Sequence, residues 1–235
     1  MKVRGRRRCT ACDARWSYFE TGSAACPDCG SLRSVAVDDE RVLHTDSPVE
    51  LDLGPARSMV EGSPLEEVAE AAGSAARKYL AARGFVDGGE LLDLDDVVLG
   101  AAELRHVGAH LRRTMAVDDA AKAHFLDLLA GAEDGHRPDA APPALQSARG
   151  LAAAEAVGAY RRDLSTWLDE HPDPDARSAL DRLRTHERRA EALDGDVSTG
   201  EAAALVAAAR ALGDYLRNGD ASALERAEHR LDEVG

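Results

Sequence analysis

Lysine is nearly absent from this 235-residue chain, occurring only as Lys2, Lys78 and Lys122. Aromatic residues make up 4% of it, so a core built mainly of large rings is excluded. No run of about 18 apolar residues occurs, which excludes an ordinary membrane-spanning helix. The opening Met1-Lys2-Val3-Arg4-Gly5-Arg6-Arg7-Arg8 has no apolar centre and does not read as a secretory signal, so a cytoplasmic protein is expected. A glycine-rich phosphate loop is missing, as is a G-x-S-x-G elbow. His186-Glu187 is followed by Ala190, where a zinc-protease helix needs a second histidine. With no nucleophile and base in a plausible frame, enzymatic activity is not expected.

What is abundant is acid, arginine and alanine. There are 43 acidic and 29 basic residues, a formal charge of −14. This composition suits a cytoplasm full of salt, where the Debye length shrinks to about 3 Å and surface repulsion is muted. An acidic protein from a GC-rich genome would share the bias towards arginine and alanine. The charge is uneven. Residues 1–34 carry seven basic and three acidic side chains, a weakly basic head on an acidic body.

Cysteine is scarce and concentrated. The only four are Cys9, Cys12, Cys26 and Cys29, in two C-x2-C turns separated by 13 residues. Each turn brings two sulfurs to one side of a bend, and two turns supply a thiolate tetrahedron. Zn²⁺ is the expected ion, held structurally because protein fills all four positions. Iron in a rubredoxin-like site is the alternative. Gly30 and Asp13 follow the two knuckles, where a left-handed backbone is accommodated. Arg15 to Glu20 alternates as a short strand, with Val3 to Arg8 and Arg33 to Val37 as partners. So small a module has almost no core, and the metal must supply much of its folding energy.

Residues 1–37 resemble transcription-factor-B-type zinc ribbons. The whole chain resembles a family of ribbon proteins from halophilic archaea with an acidic helical tail of unassigned function. The resemblance implies a metal at the four cysteines and a link to transcription. A transcription factor B continues into two basic cyclin-like repeats, whereas the continuation here is acidic.

Residues 38–62, with Ser47-Pro48 and Gly54-Pro55, read as a linker. Helical signals follow over 63–235. Ser63-Pro64-Leu65-Glu66 is a capping box opening a helix to Arg83, ended by Gly84. Further helices are expected over 93–115, 118–130, 144–170, 174–193, 199–217 and from about 221 to 234, with a break at 131–143. Ser198-Thr199-Gly200-Glu201 is a second capping box. Strand signals are not found after residue 60. The fold class is therefore α+β: a ribbon of three short antiparallel strands, then an all-α antiparallel bundle packed closely through alanine.

Glu103, His106 and His110 share a face of the 93–115 helix, and Glu-x-x-His is a di-iron element. His106 falls opposite the stripe Val97, Ala101, Leu104, Leu111, Met115, so a solvated face is expected instead. Trp16, Tyr18 and Phe19 concentrate three aromatics in the ribbon, either as its core or as a base-stacking surface. Arg6, Arg7, Arg8, Arg15 and Trp16 make a candidate contact face. About five phosphate contacts would lose on the order of five decades of affinity between ~0.2 M and ~3 M salt. An arginine arm alone would not hold nucleic acid in such a cytoplasm, but arginine forks still pair with carboxylates. The leading expectation is a non-enzymatic zinc-binding adaptor, its ribbon contacting a protein partner and its helical body serving as scaffold or dimer surface. The alternatives are a nucleic-acid-binding, transcription-associated ribbon protein and an iron electron-transfer protein.

Overall fold

The computed structural model describes residues 1–234. Strands β2 (Arg6–Cys9), β3 (Arg15–Ser17) and β4 (Ser34–Ala36) form an antiparallel sheet in the order β3-β2-β4. Arg8 lies opposite Arg15 on one side and Val35 on the other. This is the expected three-stranded ribbon, with one change. The strand at Arg15 ends at Ser17, and Tyr18–Thr21 coil into a single turn, α1, closed by Gly22 at φ 60°. The turn takes Tyr18 and Phe19 off the strand, so they no longer alternate across the sheet.

Helices α3 (Leu65–Ala82), α4 (Asp96–Leu111), α5 (Asp119–Gly131), α6 (Gln146–Leu168), α7 (Pro174–Ala192), α8 (Thr199–Asn218) and α9 (Ala221–Asp232) make the body. Most begin at a side chain that satisfies otherwise orphaned backbone N–H groups. Asp95 accepts from Val98, Asp118 from Ala121 and Asp173 from Ala176. The capping box at Ser198 forms with Glu201. The one expected at Ser63 does not, because α3 starts one residue later, with Pro64 as an uncapped N-cap. Met115, placed by sequence on the apolar stripe of α4, lies beyond the helix end and is fully exposed.

The long helix α6 is central and touches α4, α7 and α8. Its buried residues Ala152, Ala156, Val157, Tyr160, Leu164 and Leu168 run through the core. Small residues set the helix spacing as expected. A methyl group at Gly108 of α4 would stand 2.8 Å from the Ala69 carbonyl oxygen of α3. Where rings do occur they are central: Tyr160 meets Phe85 edge-on at 4.9 Å.

Residues 38–62 are not a loose linker. Strand β5 (Val42–Leu43) pairs with β1 (Lys2–Val3), and the short helix α2 (Gly54–Ser58) sits against α3. Leu43, Leu51, Leu53 and Ala56 are buried in the helical core. The Thr45 hydroxyl donates to Asp163 of α6 at 2.6 Å, and Asp163 also accepts from the Phe85 amide. Glu133 accepts from the Leu53 amide and pairs with Arg57. Polar punctuation marks a turn but does not show what the turn packs against, and this strap closes one side of the bundle. The segment 131–143 likewise packs, through Ala132 and Ala141.

A hairpin absent from the expectation, β6 (Val86–Asp87) and β7 (Glu90–Leu91), turns at Gly88 and Gly89, both with positive φ. Its sequence, Val-Asp-Gly-Gly-Glu-Leu, carries a two-residue turn signal. Phe19 of the ribbon packs on His44 of the strap at 4.8 Å and against the Gly88 turn, docking ribbon to body.

Candidate metal centre

The two knuckles are built alike. The Asp13 amide donates to the Cys9 carbonyl and the Gly30 amide to the Cys26 carbonyl. The Cys9 and Cys26 amides donate in turn to the carbonyls of Ala14 and Ser31. Asp13 and Gly30 have φ of 63° and 70°, the left-handed conformations expected after each C-x2-C.

The four sulfur atoms lie within 4.8 Å of one another. Cys9 and Cys29 are 3.7 Å apart, and Cys12 and Cys26 are 3.6 Å apart. Four sulfurs about 2.3 Å from a tetrahedral ion would be about 3.8 Å from each other. The cluster therefore fits an ion of that size. Its electrostatics point the same way. An amide of Ala11, 3.3 Å from the Cys9 sulfur, draws that thiol down to about 7. The Ala14 amide works in the same sense on Cys12, yet the crowded sulfurs of Cys29 and Cys26 push it up to about 12. Cys29 also moves up, against the pull of the Ser31 amide. Four thiolates at this spacing would repel one another, and a divalent cation among them would offset that repulsion.

Trp16 lies beneath the knuckles with Cys9, Cys26 and Ala14, forming a small core separate from that of the helices. It is 9% exposed, and its indole N–H donates to the Ser23 carbonyl at 3.0 Å. Its place in the expected contact face is corrected: the ribbon uses this ring as core. Strand alternation divides the remaining members. Arg7 is half-buried on the Trp16 side, its guanidinium on the Ser34 hydroxyl at 2.9–3.0 Å. Arg6, Arg8 and Arg15 are exposed on the other side. Arg6 pairs with Asp38 at 2.6 Å, and its backbone N–H holds the Asp38 carboxyl below the usual range. Arg8 and Arg15 stand directly opposite each other.

The chain belongs to a family of unknown function, DUF7117. The family model matches residues 1–231. No curated protein matches the chain, and no solved structure does. The family's unit thus spans the cysteine cluster and nearly all of the helical body together.

The Glu103, His106, His110 face makes no metal site, but it is not a solvated face either. Glu103 is 0% exposed. Its carboxylate accepts from His124 at 2.8 Å, Arg149 at 3.0 Å and Arg137 at 3.2 Å. Burial alone would raise its pKa, but these partners hold it below the ordinary value. Arg149 also donates to the carbonyls of Pro138 and Asp139, anchoring the 131–143 segment. Helix α4 is covered on two sides, by α3 and α6, so Glu103 is interior while His106 and His110 are half-buried. His106 instead meets Glu155 of α6 at 2.9 Å. Arg105 already pairs with that carboxylate. Burial and the guanidiniums of Arg105 and Arg113 hold His106 down to about 4. No local sequence signal marked Glu103 as buried, because Arg149 lies 46 residues away.

Proposed function

We propose that this chain is a non-enzymatic, zinc-holding adaptor of a salt-adapted cytoplasm. Its ribbon engages an acidic protein surface and its helical body is the scaffold that presents it. Zinc is the ion this reading assigns, and its role is structural, since all four ligand positions are protein sulfur. The link to transcription-factor-B-type ribbons makes a partner in the transcription machinery the natural class to examine.

The single observation that carries the reading is the Arg8–Arg15 pair. Like charges directly opposite each other on a sheet cost stability. These two stand exposed beside Val35, itself 44% exposed, in a protein rich in carboxylates that could have neutralised them. Among the described residues only the Asp13 carboxylate approaches, 4.0 Å from Arg8. An incoming carboxylate fork would relieve the repulsion, and such pairing persists in salt when partly buried.

The test is a tagged pull-down in molar KCl, with and without nuclease, using the wild type and Arg8→Glu/Arg15→Glu. The adaptor reading expects protein partners that survive nuclease and disappear with the double variant. Partners lost with nuclease alone would replace it with nucleic-acid tethering. A coloured preparation with iron at the cysteines would replace it with electron transfer.

A further inference from the structure

A second basic feature lies away from the Arg8–Arg15 pair. It is a cleft of about 360 Å³ between the chain start, β2, α1 and the entry to β5. Lys2, Arg4, Arg7 and Arg41 line it with Tyr18, and no acidic side chain does. Arg7 is held from behind by Ser34, and Lys2 reaches Glu170 at 3.2 Å. Arg4 and Arg41 are exposed and have no carboxylate partner among the described residues. Most body arginines are paired with carboxylates, as in Arg83 with Asp46 and Asp95. In a chain of −14, four cationic side chains around a concavity lined by no acidic one are the exception, and an anion bound there would offset their mutual repulsion.

We propose that this cleft binds a phosphate monoester carrying a planar ring, as in a nucleoside monophosphate. Guanidinium forks match phosphate oxygens in pairs, and a dianion answers several converging cations better than one carboxylate does. Tyr18 is half-buried at the cleft wall and supplies the one aromatic surface for the ring. The volume lies at the small end of the roughly 300–1,000 Å³ found for small-ligand sites.

The site is separate from the proposed partner face, so the two readings can fail independently. The experiment is calorimetric titration of the metal-loaded full chain with inorganic phosphate, adenosine monophosphate and a short single-stranded oligonucleotide. Saturable binding is expected, tighter for the monophosphate than for phosphate. Arg4→Ala and Arg41→Ala each remove charged hydrogen bonds and should weaken both roughly tenfold or more. Both side chains are exposed, so unchanged helical circular dichroism and metal content verify folding. Tyr18→Leu should erase the advantage of the monophosphate and leave phosphate binding intact, while Arg15→Glu should change nothing here. Oligonucleotide binding that responds to Arg4 and Arg41 would identify a strand as the source of the phosphate; no response would identify the free nucleotide. Absence of saturable binding at millimolar phosphate and monophosphate would overturn the proposal. So would equal binding by wild type and an Arg4→Ala/Arg41→Ala double variant.

Discussion

The two ends of this molecule treat arginine in opposite ways. In the helical body, most guanidiniums are absorbed: Arg149 and Arg137 on buried Glu103, Arg161 on Glu187, Arg217 on Asp93 and Asp214. In the first 41 residues, Arg4, Arg15 and Arg41 are exposed without an ion-pair partner among the described residues, and Arg8 has only a distant one. The cores differ in the same sense. The body is held by closely packed alanine and leucine around α6, whereas the ribbon core is Trp16 beneath two cysteine knuckles. The body keeps its charges for its own architecture; the ribbon leaves them facing outwards and builds its small core on a cysteine cluster that could hold a metal ion.

The sharpest way to break this comparison is to remove the metal. Structural zinc contributes apparent binding energies of about 10–16 kcal/mol, and a ribbon with so little core has nothing to replace it. Cys26→Ser, or a strong chelator, should abolish metal binding and unfold residues 1–37 while helical circular dichroism holds. Collapse of the helical signal would mean that Phe19 on His44 and the β1–β5 pairing bind the two cores into one.

On the body side, Glu103→Gln leaves buried Arg149 and half-buried Arg137 without their counter-charge. Breaking such a cluster costs about 3–5 kcal/mol. Urea unfolding should show this loss with metal content unchanged.

Acid should act on the body in a defined window. His106 is held down to about 4 in the fold against 6.5 when unfolded. The unfolded chain therefore binds more protons between those values, and stability falls as pH drops from about 6.5 to 4. About 3 kcal/mol is at stake by the linkage scale. His106→Gln should flatten that slope. Glu103 adds its own loss below its ordinary value, as pH falls through its lowered folded value, so the decline continues below the His106 window.

Gly108→Ala tests the close approach of α3 and α4. Its new methyl group would press on the Ala69 carbonyl, at about 1–3 kcal/mol. The smallest effect is expected at the ribbon surface. Arg15→Glu should raise ribbon stability by about 0.2–1 kcal/mol, because it turns a like-charge pair into an opposite one. A stabilised ribbon that loses its partner would separate folding from recognition at one residue.

Much of this was legible without coordinates where the determining interaction is local. The C-x2-C spacing, the left-handed residues Asp13 and Gly30, and the caps at Asp173 and Ser198 each lie within a few residues of what they control. The hairpin at Gly88-Gly89 was also local and legible, but its strands are only two residues each and show no period.

The sequence by itself determined the metal knuckles, the helical body and its alanine-spaced packing, because these follow from periodicity and short-range geometry. Only the tertiary structure decided that 38–62 is a packed strap, that Trp16 is core, and that Glu103 is interior. Each of these depends on a partner far along the chain: Asp163 for Thr45, Arg149 for Glu103. Periodicity shows that a helix has a polar face. Whether that face meets water or a buried guanidinium depends on what packs against it, and long-range packing settles that.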